Sequence, residues 1–411
     1  MAAHGPSLPP DHVVADILGR LPDSSVASFR AVCRAWNAVT SCPAADHVLA
    51  AKRPGAAVTA VIKDTRRLEV DDERRHPVDI VRFDFFRGRW RPDARKAGPC
   101  PRAVSLDDMT ISTDGFLTWD GVLCTPVFPR KPQPDAGGGL IMLWIPLTNA
   151  CAIVSVPAGQ GRIIGGYAHP VTGRFHLLHS SDVTVSDDSV LVVAPNTRGW
   201  RELPLPPMLV AGCSSGSETI SMRGERDHSV SLNGNLHWLV QLPGSGKKAA
   251  ALLVFDTVRE KFRFMAAPES PGLDPTTARL RVVPGGNKQQ LCVLALTKQK
   301  QPAVALEVWV LDDYSSEPRR SWRLRETIGL DGTCLSRARF VAAAAVEVVE
   351  GVNEGEEVFV HHEDGIEAYS VRSKVWRRVS VGRCCATPLL MYRESLMQPE
   401  ISFGAALRGI P

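Results

Sequence analysis

The chain has 411 residues, enough for two or more domains with cores of their own. Hydrophobic residues make up 44% and charged residues 22%, an ordinary mix for a soluble protein, and a formal net charge of +4 is too small at this length to argue for nucleic acid. No apolar run approaches the roughly 20 residues of a membrane span, and the N-terminal "MAAHGPSLPP" has neither the basic nor the apolar region of a secretory signal. Ten cysteines with no Cys-x-x-Cys pair fit a reducing compartment and show no zinc finger.

The first element is helical. Val14, Ile17, Leu18 and Leu21 follow the i, i+3, i+4, i+7 spacing of one apolar helix face. Gly19 near the helix end and Pro22 just after it supply stop signals. Asp23, Ser24 and Ser25 offer N-cap chemistry for a second helix through Val26, Phe29 and Arg30. A further turn carries Val32, Trp36 and Val39. The segment therefore predicts three short amphipathic helices within about forty residues, too few to hold an independent core. It must pack on something else: the rest of the chain, as a cap, or a partner.

The same residues, Leu8-Pro9, Ile17-Leu18, Leu21-Pro22, Phe29-Arg30 and Val32-Cys33-Arg34-x-Trp36, closely resemble an F-box. Ala27 and Ser28 depart from the larger or basic residues often found there. The resemblance implies docking on a Skp-type adaptor and, through it, on a cullin. Leu8, Pro9, Val14, Ile17, Leu18, Leu21, Pro22 and Val26 would make the contact. Phe29, Arg30, Val32, Cys33 and Trp36 would hold the three helices together, with Cys33 as a small buried hydrophobe.

From residue 51 onward the pattern is β. A β-rich run, a turn and an aromatic followed by basic or apolar residues recur, with aromatics at Trp90, Trp200, Phe262, Trp322 and Trp376. The last four are 62, 60 and 54 residues apart (262−200, 322−262, 376−322), a loose repeat. "SVSLNGNLHWLVQ" (229–241) alternates on both sides of Asn233-Gly234, a hairpin signal, and a second hairpin is expected at Thr257 to Glu260. "GGYAHPVTGRFHLLHS" (165–180) turns at Thr172-Gly173. Four-stranded antiparallel units cannot bury both faces alone but can when arranged radially. The expected architecture is thus α+β multidomain: a three-helix F-box at 8–50, then a mainly antiparallel all-β domain at 51–411, a β-propeller of about six blades. "TPLLMYRES" near the C-terminus would supply the strand that closes the ring on the first blade; a β-sandwich is the competing fold.

The lines "SVSLNGNLHWL" and "LLVFDTVREKF" resemble the F-box-associated domain of plant F-box proteins. "GYAHPVTGRFHLL" is similar to another line of that domain, with His169 and Phe175 in place of its Asp and Tyr.

Several motifs invite chemistry and do not sustain it. In "HHED" (361–364) adjacent strand residues point to opposite faces, so His361 and His362 cannot readily share a metal, and Glu363-Asp364-Gly365 fits a turn. "GSGKK" (244–248) lacks the residues of a phosphate loop, and "GQGRIIGG" (159–166) spaces its glycines wrongly for a dinucleotide. Cys384-Cys385 are most simply buried thiols. No catalytic triad, metal set or cofactor motif stands out. Residues 51–102 hold fourteen Lys/Arg against eight Asp/Glu, a mix that could bind RNA or an acidic partner but more often places strand aromatics on a core and arginines in solvent.

The resemblance implies the substrate receptor of an SCF-type ubiquitin ligase. It would be non-catalytic, bind an unidentified target through the β domain, and reside in the cytoplasm, the nucleus or both. A propeller-fold enzyme and an F-box protein acting outside a ligase are the alternatives.

Overall fold

The computed structural model describes side chains chiefly within 117–127, 139–205, 229–330 and 357–378, with breaks, and at isolated positions in 26–40 and at 403. Backbone pairing is also described for strands within 59–92, 109–111, 345–362, 390–392 and 407–408. In the N-terminal segment these residues include one helix, Arg34–Thr40, with Val26 and Phe29 helical ahead of it. The rest of the expected three-helix segment lies outside the described residues.

Among the described residues the β domain shows six antiparallel sheets, numbered here in chain order. The first pairs Thr59–Lys63, Val78–Asp84 and Arg89–Pro92 with Leu390–Tyr392. The third (Arg162–Ala168, Phe175–Ser180, Ser189–Val193, Arg201–Pro204) is a plain meander. So are the fifth (Arg279–Gly285, Lys288–Lys298, Val304–Leu311, Trp322–Gly329) and the sixth (Ala345–Glu350, Glu356–His362, Gly365–Ser370, Val375–Val379).

The second and fourth sheets have six strands each. In the second, the meander Leu117–Trp119, Val122–Pro129, Leu140–Ile145, Ala150–Ser155 gains Met109–Ile111 and Leu407–Arg408. In the fourth, Val230–Leu232, Asn235–Gln241, Ala250–Asp256, Lys261–Ala266 gain Thr184–Val185 and Ile220–Ser221. Four sheets thus have the plain four-stranded blade form, which corrects the expectation of about six blades. The added strands are two or three residues long and come from neighbouring connections and the C-terminus.

Burial follows position in the sheet. Inner strands are covered on both faces: Asn235–Gln241 and Ala250–Asp256 each bury their five central residues. Such strands appear in the sequence as continuous apolar runs. The outer strand Lys261–Ala266 alternates, with Phe262 buried and Arg263 exposed. One apolar cluster joins the second, third and fourth sheets, another the fourth and fifth, and another the fifth and sixth. Sheet-to-sheet packing is therefore continuous from the second sheet to the sixth.

The aromatic repeat makes these junctions. The Trp200 indole N–H donates to the Ser155 carbonyl at 3.1 Å, Trp322 to Ala266 at 3.0 Å and Trp376 to Gly329 at 3.2 Å. In each case the acceptor is the last residue of the preceding sheet's fourth meander strand. Phe262 has no N–H to give; it packs on Phe255 with ring centroids 4.7 Å apart. Nearer the centre, Trp238 donates to Ile164 of the third sheet at 2.8 Å, and Trp119 to Ser229 Oγ at 2.7 Å. Gly165 and Gly166 leave room for these rings: a Cβ on Gly166 would stand 2.8 Å from Trp119 and Phe175. Gly165 and Gly166 of "GQGRIIGG" thus serve close packing inside a strand.

The first sheet is completed from the C-terminus, as the sequence suggests. Leu390–Tyr392 pairs antiparallel with Thr59–Lys63, supplying the strand that the first sheet lacks. Beyond it Phe403, fully buried, joins the cluster of the second to fourth sheets, and Leu407–Arg408 pairs with Ala150–Ser155. Phe403→Ala should therefore destabilise the β domain by about 3–5 kcal/mol, the usual range for a buried Phe. Denaturant unfolding of the full chain measures this, and a loss below about 1 kcal/mol would show that the C-terminal segment is not part of the core.

Candidate functional site

The hairpin turns between first and second strands and those between third and outer strands fall at the same end of each meander. In the fourth sheet they touch: Thr257 donates its hydroxyl to the Gly234 carbonyl at 2.7 Å. Asn233 (φ 51°) and Gly234 (φ 69°) have the left-handed pair of a type I′ turn, as Asn-Gly predicts. Asp120 (φ 47°) and Gly121 (φ 76°) repeat it in the second sheet, an Asp-Gly signal passed over in the sequence. Asp256 Oδ1 accepts from the Val258 and Arg259 amides and shapes the 257–260 turn.

This end of the molecule carries two polar networks, each spanning a junction. At the third–fourth junction, the buried Tyr167 hydroxyl donates to Glu260 Oε1 at 2.8 Å and lies 2.9 Å from His176 Nδ1. With the phenol proton on Glu260, Nδ1 is the donor to the Tyr167 oxygen. The Arg201 guanidinium grips the other Glu260 oxygen. Burial alone would raise the Glu260 carboxyl, but the bonds from Tyr167 and Arg201 and the Arg201 charge outweigh it and hold it below its ordinary value. Burial also pushes the Tyr167 phenol up and lowers His176 to about 4.

At the fourth–fifth junction His237 is fully buried. Its Nδ1 lies 3.2 Å from the Val230 carbonyl, which can only accept, so Nε2 accepts from the Tyr314 hydroxyl at 2.8 Å. Burial lowers His237 to about 4 as well. Tyr314 also lines a cleft of ≈ 200 Å³ between the two sheets, together with Leu232, Leu291 and Leu311. Neither network was foreseen. Their members stand scattered through strand and turn positions, and only the His169–Arg174 and Thr257–Glu260 hairpins were legible.

Of the expected adaptor-contact residues, Val26 is described and is fully buried. Leu8, Pro9, Val14, Ile17, Leu18, Leu21 and Pro22 lie outside the described residues, as do Arg30 and Cys33. Phe29 and Trp36 place their rings 5.1 Å apart, and Val32 is 63% exposed. His361 and His362 lie on a strand, paired with Ile366 and Gly365 across the hairpin. "GSGKK" and Cys384-Cys385 fall outside the described residues. Among the described residues no group of three or more His, Cys, Asp or Glu is gathered as a metal site.

Residues 7–43 match the F-box domain, and residues 214–398 match the F-box associated beta propeller domain. The chain is thus similar, over these two segments, to F-box proteins that carry an F-box-associated domain. F-box protein At5g49610 of Arabidopsis thaliana is 22% identical over 92% of this chain and 93% of its own length. Probable F-box protein At5g47300 of the same plant is 23% identical over 77% of this chain and 67% of its own. A crystal structure of a mutant of AofleA from Arthrobotrys oligospora matches 77% of this chain and 82% of its own, at 11% identity and a TM-score of 0.39.

Neutral burial of the two histidines fixes the sign of a pH effect. Both hold folded values of about 4 against 6.5 for the free side chain, so the unfolded chain takes up protons first as pH falls. Their stabilisation is complete above pH 6.5 and is lost progressively down to about 4. Glu260, held low in the folded state, adds a loss of the same sign in more acid solution. Thermal midpoints should fall across this window, and the His176→Gln/His237→Gln double variant should show a shallower fall. Equal slopes would assign the acid sensitivity to other groups.

Proposed function

We propose that this chain is the substrate-recognition subunit of an SCF-type ubiquitin ligase. The observation that carries the reading is the pairing of an F-box match at 7–43 with a propeller-domain match at 214–398 in one chain. The F-box, taken as 8–50, docks on a Skp-type adaptor and through it on a cullin. The β domain, taken as 51–411, holds the target protein. Leu8, Pro9, Val14, Ile17, Leu18, Leu21, Pro22 and Val26 are the proposed adaptor contacts, and Phe29, Arg30, Val32, Cys33 and Trp36 the bracing.

In this role the chain makes and breaks no bonds. It acts by proximity: tethering raises the effective concentration of target lysines near a ubiquitin-charged enzyme. The two polar networks support such a role, because their groups are engaged with one another across sheet junctions. They pin turns in place, as a binding scaffold needs. The proposed setting is the cytoplasm, the nucleus or both.

Leu18→Asp with Leu21→Asp places two charges on the proposed docking face, each costing several kcal/mol if buried without a partner. The unaltered full chain should co-purify with a Skp-type adaptor, and the double variant should not, while β-domain circular dichroism stays unchanged. An unaltered chain that leaves the adaptor behind would remove the F-box from this role. Adaptor binding without cullin-dependent ubiquitin transfer would point to action outside a ligase.

A further inference from the structure

An unpaired outer strand is a template for pairing with another chain, and proteins blunt it with charge, with proline or by covering it. The outer strands of this chain divide between these devices. Those of the third to sixth sheets carry exposed charge: Arg201 and Glu202, Lys261 and Arg263, Arg323, and Arg378. That of the first sheet, Arg89–Pro92, has two arginines and a proline among its four residues. In the second sheet the fourth meander strand reads Ala-Cys-Ala-Ile-Val-Ser (150–155) and has no charge at all. Among the described residues it is also the one fourth strand over which a further strand is laid: Leu407 pairs with Ala152 and Arg408 with Cys151.

We propose that Ala150–Ser155 is a self-association edge and that residues 403–408 are the strap that keeps it closed. With the strap lifted, the strand pairs antiparallel with the same strand of a second copy. A second copy fits because the sequence is its own complement. In antiparallel register Ala150 faces Ser155, Cys151 faces Val154 and Ala152 faces Ile153, so Cys151 and Ala152 oppose branched residues and no like charges meet. The contact closes about a twofold axis and uses the same edge on both sides.

The burial of the strand agrees with a covered edge. Ala150, Cys151 and Ala152 are buried in succession, where the outer strand of the fourth sheet alternates. The far end is held by the Trp200 indole on the Ser155 carbonyl, so the pairing centres on Ala152 and Ile153. The strap has one firm anchor, the fully buried Phe403, and a ladder of two residues against six in the strand beneath it. A ladder that short lies at the low end of local opening free energies. A proline at 407 or 408 removes an N–H from it and leaves Phe403 in place.

The test is sedimentation velocity of the full chain across micromolar concentrations, with hydrogen exchange read on the same samples. The unaltered chain should stay monomeric. Leu407→Pro with Arg408→Pro should form a dimer, with a dissociation constant at least about tenfold below that of the unaltered chain. Amide exchange across 150–155 should slow as the dimer forms. Ile153 is half-buried, and Ile153→Lys gives this edge the charge that the other outer strands carry. Added to the double change it should restore the monomer, and alone it should leave the monomer as it is. Leu407→Pro alone is read instead where the double change lowers the thermal midpoint. An unaltered chain already dimeric, a loosened chain that stays monomeric, or a dimer that survives Ile153→Lys would overturn the proposal.

Discussion

The bond on which the β domain depends is an indole N–H given to the backbone carbonyl of the neighbouring sheet. Trp200, Trp322 and Trp376 each make it, to Ser155, Ala266 and Gly329. A separate four-stranded sheet would leave one or both faces wet. Packing sheet on sheet buries them, and the tryptophan fixes the register between one sheet and the next. Side chains alternate along a strand, so the residue after each aromatic points the other way. At Arg201 that residue meets Glu260 of the following sheet, and at Arg263 it meets Tyr314. One outer strand thus holds the sheet before it with an aromatic and the sheet after it with an arginine. Arg323 and Arg377 use the same position differently, pairing with Asp312 and Glu357 within their own sheets.

From that clamp follow the properties of the turn end. Rigid junctions keep the turns between third and outer strands in fixed positions, and two of the three described in detail close on the preceding sheet through Glu260 and Lys374. At the fourth–fifth junction Tyr314 lines the cleft instead.

Much of this was written in local pattern. Asn233-Gly234 announced its turn, because only a few residues tolerate two successive left-handed conformations. The spacing of Trp200, Phe262, Trp322 and Trp376 marked outer strands one by one, and "TPLLMYRES" contained the strand that closes the first sheet. What could not be read was non-local. Tyr167 and Glu260 are 93 positions apart, and His237 and Tyr314 are 77 apart, so no window of sequence contains either contact. The extra strands of the second and fourth sheets escaped for another reason. Two- or three-residue strands carry too few side chains to show alternation.

The most direct measurement is hydrogen exchange on a Trp322→Phe variant, which removes the indole donor while leaving an aromatic ring at the site. If the indole bond joins neighbouring sheets, amide exchange should quicken together in Trp322–Gly329 and in Lys261–Ala266, the strand that ends on the acceptor Ala266. Faster exchange confined to Trp322–Gly329 would contradict the account, since it would mean that each sheet holds its outer strand without help from its neighbour.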